Sequence, residues 1–223
     1  MKNRMFILFL LACSANGWSQ IENDNLDDKY LEDQIYLSVS YNILRNKPAE
    51  NSNTVFSSSF SLGFIRDIPL NKERNVGLGV GLGYAFNSYR NSITLYNDED
   101  ESFGTVEGYQ TNKFKTNLVE LPIEFRWRTS TASKYNFWRI YGGVKFAYTF
   151  YSISKLDYNG GSFTKKNADI LNKFQYGAIL SAGYSTWNIY TYYGLSQLFN
   201  SVNSNGEEIN LMDFSLGLKF YIM

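Results

Sequence analysis

From residue 34 onward apolar and polar side chains alternate in runs separated by polar breaks, and period two sustained in this way predicts β-strands with one apolar face. Eight such runs are present. The first sets Ile35, Leu37, Val39, Tyr41 and Ile43 against Ser38, Ser40 and Asn42, and the second sets Phe56, Phe60, Leu62 and Phe64 against serines and Gly63. In the third, Val76, Leu78, Val80, Leu82, Tyr84 and Phe86 alternate with Gly77, Gly79, Gly81, Gly83 and Ala85. The fourth sets Val119, Leu121, Ile123, Phe125 and Trp127 against Glu120, Pro122, Glu124, Arg126 and Arg128. The fifth runs from Trp138 to Phe150 with Arg139, Tyr141, Gly143, Lys145 and Thr149 on its polar side. The sixth (Phe174 to Tyr184), seventh (Trp187 to Leu195) and eighth (Met212 to Ile222) repeat the pattern. Connections at 45–54, 97–112, 154–169 and 199–208 are the longer ones, and those at 67–75, 129–136 and around Ser185 are shorter. Long loops on one side and short turns on the other predict an all-β fold, an eight-stranded antiparallel up-and-down transmembrane barrel occupying residues 34–223. Pro122, which removes a ladder hydrogen bond in mid-strand, predicts a bulge there.

Alternation alone fits a soluble, ligand-carrying barrel equally well. Volume separates the two. About forty large apolar side chains occupy the apolar faces, whereas the interior of an eight-stranded barrel only just holds side chains or one small ligand. The apolar face must therefore point outward to lipid, with the face rich in Gly and Ser lining the lumen. Trp127, Trp138, Tyr148, Phe150, Tyr184 and Trp187 lie near strand ends, where an aromatic girdle belongs.

The first nineteen residues carry Lys2 and Arg4, an apolar run from Met5 to Ala12, and small residues ending at Ser19. They read as a secretory signal peptide, too short to span a membrane as a helix. Leu10-Leu11-Ala12-Cys13 offers a competing lipobox, to which Leu beside Ala is a poor fit. Residues 20–33 follow as a short acidic tail, expected on the periplasmic side with both termini.

Composition narrows the chemistry. The 223 residues hold 21 Lys plus Arg against 21 Asp plus Glu, one Cys and no His. Lack of His removes Ser-His-Asp and Cys-His nucleophiles and His-ligated zinc, so no enzymatic activity and no cofactor are expected. Zero net charge without a basic cluster argues against nucleic acid as a partner, and no small-molecule substrate is inferred. Within the lumen, Glu120, Glu124, Arg126 and Arg128 share a face with Arg139 and Lys145 of the next strand. Charges in a narrow lumen need partners, which predicts a salt-bridge network of these six. Paired carboxylates for acid–base work are the alternative, disfavoured by four adjoining cations. The inward glycines at 77, 79, 81 and 83 are expected to make room for bulky side chains opposite. The acidic loop 97–110 matches no EF-hand spacing and reads as a solvated surface.

Val119-Glu-Leu-Pro-Ile-Glu-Phe-Arg-Trp-Arg-Thr-Ser-Thr131 with Phe137-Trp-Arg-Ile-Tyr-Gly-Gly-Val-Lys145 resembles the PorT family of outer-membrane barrels of Bacteroidota. Arg66-Asp-Ile-Pro-Leu70 is similar too. The resemblance implies an outer-membrane barrel exported by the general secretory pathway, with an accessory or assembly role in the type IX protein secretion system. It implies no catalytic residues. The expected partners are outer-membrane lipid and other envelope or secretion-machinery proteins. A free-standing structural or adhesive barrel is the alternative, and a porin is disfavoured because eight strands leave little channel.

Overall fold

The computed structural model describes residues 33–46, 57–90, 94–98, 100–104, 109–129, 137–158, 161–167, 171–199, 203–204, 207–208 and 210–222. The chain divides into two units, Met1–Tyr30 and Leu31–Met223, and every described residue lies in the second. The leader, Cys13 and all of the acidic tail except Asp33 lie outside the described residues.

Eight strands form the barrel: β1 (Gln34–Arg45), β2 (Ser58–Pro69), β3 (Val76–Arg90), β4 (Tyr109–Arg128), β5 (Trp138–Tyr158), β6 (Phe174–Tyr184), β7 (Trp187–Gly194) and β8 (Met212–Ile222). They pair antiparallel in the order β4-β3-β2-β1-β8-β7-β6-β5, and β4 pairs with β5 to close the ring. The seam between first and last strands runs from Ile35 opposite Ile222 to Arg45 opposite Met212. Closure is what lets strands enter hydrocarbon, because a free edge would leave N–H and C=O groups with no partner.

Alternation sorts the side chains as the sequence pattern predicts. Thirty large hydrophobic side chains stand exposed among the described residues, including Leu82, Leu121, Phe125, Leu180 and Ile189, far more apolar surface than a water-soluble monomer shows. The inside is polar: Ser38, Ser61, Thr116, Glu120, Glu124, Arg126, Arg139 and Lys219 are buried. Trp127, Trp138, Tyr184 and Trp187 ring the short-turn end, with Trp138 and Tyr184 centroids 5.3 Å apart. Tyr84, Tyr148, Phe150 and Phe174 ring the other. Between the girdles, Val119 to Trp127 rise roughly 20 Å along the membrane normal at ~3.3 Å per residue and ~40° tilt, close to the height of an outer-membrane apolar band.

Three expectations need correction. β2 continues to Pro69, so Asp67 is an inward strand residue and not part of a 67–75 connection. β4 and β5 are 20 and 21 residues long and occupy chain assigned to the loops 97–112 and 154–169. Their outer halves carry polar groups on both faces, such as Lys115 outward and Thr116 inward, and so lack the apolar alternation that marks a strand. The strand Gly161–Lys166 pairs with the outer half of β5. Finally, Pro122 causes no shift in register: it lies opposite Lys145, and the ladder to β3 simply skips Gly81 and Leu82. Gly81 accepts the ring, since a Cβ there would meet Pro122 Cγ at 2.9 Å. The register shifts fall instead between Tyr109 and Thr111 and between Asn117 and Leu118.

The outward assignment carries a direct test. Leu121→Arg, at mid-height on the lipid face, is expected to destabilise the barrel in lipid vesicles by about 2–4 kcal/mol, read as a lowered unfolding midpoint in guanidinium. An unchanged midpoint would contradict the assignment of that face to lipid.

Candidate functional site

The lumen is filled in layers. At the short-turn end Asp67 of β2 receives two arginines of β4, with Arg126 Nη1 at 3.1 Å from Oδ1 and Arg128 Nη2 at 2.7 Å from Oδ2. Arg128 Nε also donates to the Arg74 carbonyl at 2.8 Å. Arg126 turns its Nε toward Glu124 Oε2 at 3.3 Å. One layer up, Glu124 Oε1 accepts from Lys219 Nζ of β8 at 2.8 Å and from the Tyr221 hydroxyl at 3.1 Å. Further along, Lys145 Nζ of β5 reaches Glu120 Oε2 at 3.2 Å, and the Tyr36 hydroxyl donates to Glu120 Oε1 at 2.7 Å.

Aromatic faces hold the cations between these pairs. Arg126 lies 4.7 Å from the Tyr141 ring centroid, Lys219 lies 4.4 Å from Tyr36, and Lys145 lies 4.3 Å from Tyr192. Cation–π attraction strengthens when both partners are desolvated, as they are here. Space for these side chains comes from glycine. A Cβ on Gly79 would sit 2.5 Å from Arg126 Nε, and one on Gly83 would overlap the Tyr36 hydroxyl. Gly63 likewise faces the Tyr36 ring.

The six residues named from sequence are all inward, but they do not form one closed set. Glu124 and Arg126 pair with each other, as do Glu120 and Lys145. Arg128 pairs with Asp67, outside the six. Arg139 has no carboxylate within ion-pair distance among the described residues and packs 4.5 Å from the Phe137 ring centroid. Asp67 and Lys219 complete the network and lie outside the sequence-based set. Lys219 was legible, because it sits on the polar side of the eighth run; Asp67 was hidden by the early end assigned to the second strand.

Above Glu120 the lumen narrows, with Asp213 as its buried carboxylate. A polar cavity of about 20 Å3, lined by Ser40, Ser59, Asn87, Gln175 and Ser215 among others, is room for little more than a single water. Tyr89 donates to Asp213 Oδ2 at 3.1 Å beside it. The outer end is then sealed by buried Leu44, Tyr89, Phe114, Leu171, Leu198, Phe199 and Leu211. Among the described residues no group of three or more His, Cys, Asp or Glu is placed to hold a metal ion.

A lipid-facing apolar belt around a charged, filled lumen is the arrangement of small outer-membrane barrels, and a family model described as "Outer membrane protein beta-barrel domain" matches residues 18–200. The chain belongs to this family. Membership places it in the cell outer membrane. No curated protein matches the chain. Among solved structures, it is similar to Ail, the attachment invasion locus protein of Yersinia pestis, at 13% identity over 85% of this chain and 97% of that one, with a TM-score of 0.36. A second structure of Ail, in complex with the heparin analogue sucrose octasulfate, gives 11% identity, coverage of 86% and 99%, and a TM-score of 0.39. A mutant of the Rh. blastica porin matches at 8% identity, covering 86% of this chain and 100% of that one, with a TM-score of 0.22.

The buried ion pairs of this lumen yield two contrasting outcomes. Asp67→Asn leaves Arg126 and Arg128 without their shared carboxylate and is expected to cost about 3–5 kcal/mol in unfolding free energy. Glu120→Gln with Lys145→Met removes a pair together and is expected to cost less than Glu120→Gln alone. A double variant as unstable as the sum of its singles would show that the pair is not coupled.

Proposed function

We propose that this outer-membrane barrel is a non-conducting, non-catalytic accessory protein that works through its ends and outer wall. The observation that carries this reading is the filled lumen: ion pairs at 2.7–3.3 Å occupy its lower half and an apolar cluster caps its outer end. Among the described residues these groups fill the bore against a solute, and each lumen carboxylate engaged by a cation is poorly suited to proton transfer. The residues that resemble the PorT family, 119–131 and 137–145, fall largely in the adjacent strands β4 and β5, which supply most of the lumen charges. That resemblance supports an accessory or assembly role in type IX protein secretion, with other envelope proteins as partners.

One observation favours a second reading, a free-standing structural or adhesive barrel. β4 and β5 run about eight to ten residues past the apolar band on the long-connection side, at ~3.3 Å per residue, and so project from the membrane. A projecting sheet is a surface for contact with the medium.

Two experiments separate these readings. Purified protein in planar bilayers is expected to show no steady conductance; porin-like open channels would overturn the filled-lumen reading. Deletion of the gene in the source organism is expected to deplete secreted proteins bearing the type IX sorting domain and to retain them in the periplasm, as quantified by mass spectrometry and reversed by the restored gene. Unchanged secretion would overturn the export role and leave the projecting surface as the working part.

A further inference from the structure

Where β3, β4 and β5 leave the apolar band, their outward faces change from apolar to cationic. Arg90 of β3 lies opposite Lys113 of β4, and Lys113 lies opposite Lys155 of β5. One rung nearer the membrane, Lys115 stands between Ser88 and Ile153, and Ile153 pairs with Lys166 on the strand Gly161–Lys166. All five cations sit on the outer side of the sheet, at positions exposed or half-exposed beside inward, buried Tyr89, Phe114, Thr116 and Ser154.

This row has no role in the lumen network. Like charges directly opposite one another destabilise a strand pair, so the arrangement is held at some cost. Lys155 has an interaction partner of its own. Arg90, Lys113, Lys115 and Lys166 have no carboxylate within ion-pair distance among the described residues.

The height of the row identifies its surroundings. Lys115 Nζ lies 6.0 Å from the Phe86 ring centroid. Immediately below, Tyr84 packs 6.3 Å from Phe150 and donates its hydroxyl to Asn117 Oδ1 at 2.5 Å. These aromatics belong to the outer girdle, so the cations stand one step beyond it, at the level of lipid headgroups. Long Lys and Arg stems lie along apolar surface while their heads reach the polar layer.

We propose that Arg90, Lys113, Lys115 and Lys166 form a binding strip for the phosphate groups of anionic lipid in the outer leaflet. Phosphate offers these four cations a countercharge, and guanidinium and ammonium donors make short, charge-assisted bonds to it. Basic residues at a membrane surface attract anionic headgroups through the same physics, and the attraction weakens with salt. The strip is independent of any export role.

The test uses the full chain folded in phosphocholine vesicles, offered bisphosphorylated lipid A or its dephosphorylated counterpart, with retained lipid counted by native mass spectrometry. Wild type is expected to retain the phosphorylated lipid at least about tenfold better. That preference should vanish in Arg90→Gln/Lys113→Gln/Lys115→Gln/Lys166→Gln and persist in Lys72→Gln, whose charge lies in the β2–β3 turn at the opposite end. Heat-modifiable gel mobility establishes that each variant is folded. If the fourfold variant fails that check, Lys113→Gln/Lys115→Gln replaces it, with a weakened preference expected. Equal retention of both lipids by wild type, or an unchanged preference in a folded variant, would overturn the proposal. Displacement of the lipid by millimolar inorganic phosphate would assign the strip to free phosphate and overturn it as a lipid site.

Discussion

A strand inside hydrocarbon has no water to bond, so every N–H and C=O must find a partner in the protein. Eight strands meet that demand by closing β4 on β5, and closure at this strand number fixes a narrow bore. A narrow bore constrains every inward side chain. Bulky groups must fit together, and the glycines at 63, 79, 81 and 83 yield the volume that Tyr36, Arg126 and Pro122 occupy. Charges that point inward meet countercharges or, like Arg139, aromatic faces, because water is scarce there. Asp67, Glu120 and Glu124 supply the countercharges to Arg126, Arg128, Lys145 and Lys219.

The pairing draws on strands distant in sequence. Glu124 of β4 meets Lys219 of β8 across the lumen, and Asp67 of β2 meets two arginines of β4. The Asp67 contacts need only the β2–β3–β4 meander, whereas Glu124 meets Lys219 only when the ring is nearly complete, so that pair favours the closed barrel over partly zipped sheets. Buried ion pairs of this kind specify an arrangement more than they add stability, since desolvation offsets much of the attraction.

Much of this was legible in the chain. The facing of Leu37, Leu82, Phe125 and Leu218 follows from period two, and the lipid assignment follows from volume. What the pattern could not show was strand length outside the membrane. There Lys113, Thr116 and Ser154 give both faces of β4 and β5 a polar character, and the contrast between faces that marks a strand is lost. Pro122 misled for a different reason: the consequence of its missing N–H depended on Gly81 on the neighbouring strand, a cross-strand relation absent from local sequence. The six inward charges were visible individually, while their partners required register.

The irregularity between Asn117 and Leu118 sets Asn117 opposite Tyr151 and Leu118 opposite Thr149, so that Phe150 is an extra residue in β5. Below it the even-numbered residues of β5 face lipid, as Trp138, Ile140, Val144 and Tyr148 do. Above it Ser152 and Ser154 turn inward, and the odd-numbered residues take the outer side. One inserted residue therefore resets the inside–outside code at the membrane surface. It lets a single continuous strand carry two independent surface chemistries, one tuned to hydrocarbon and one to the aqueous rim, and evolution can alter the second without disturbing the phase of the first.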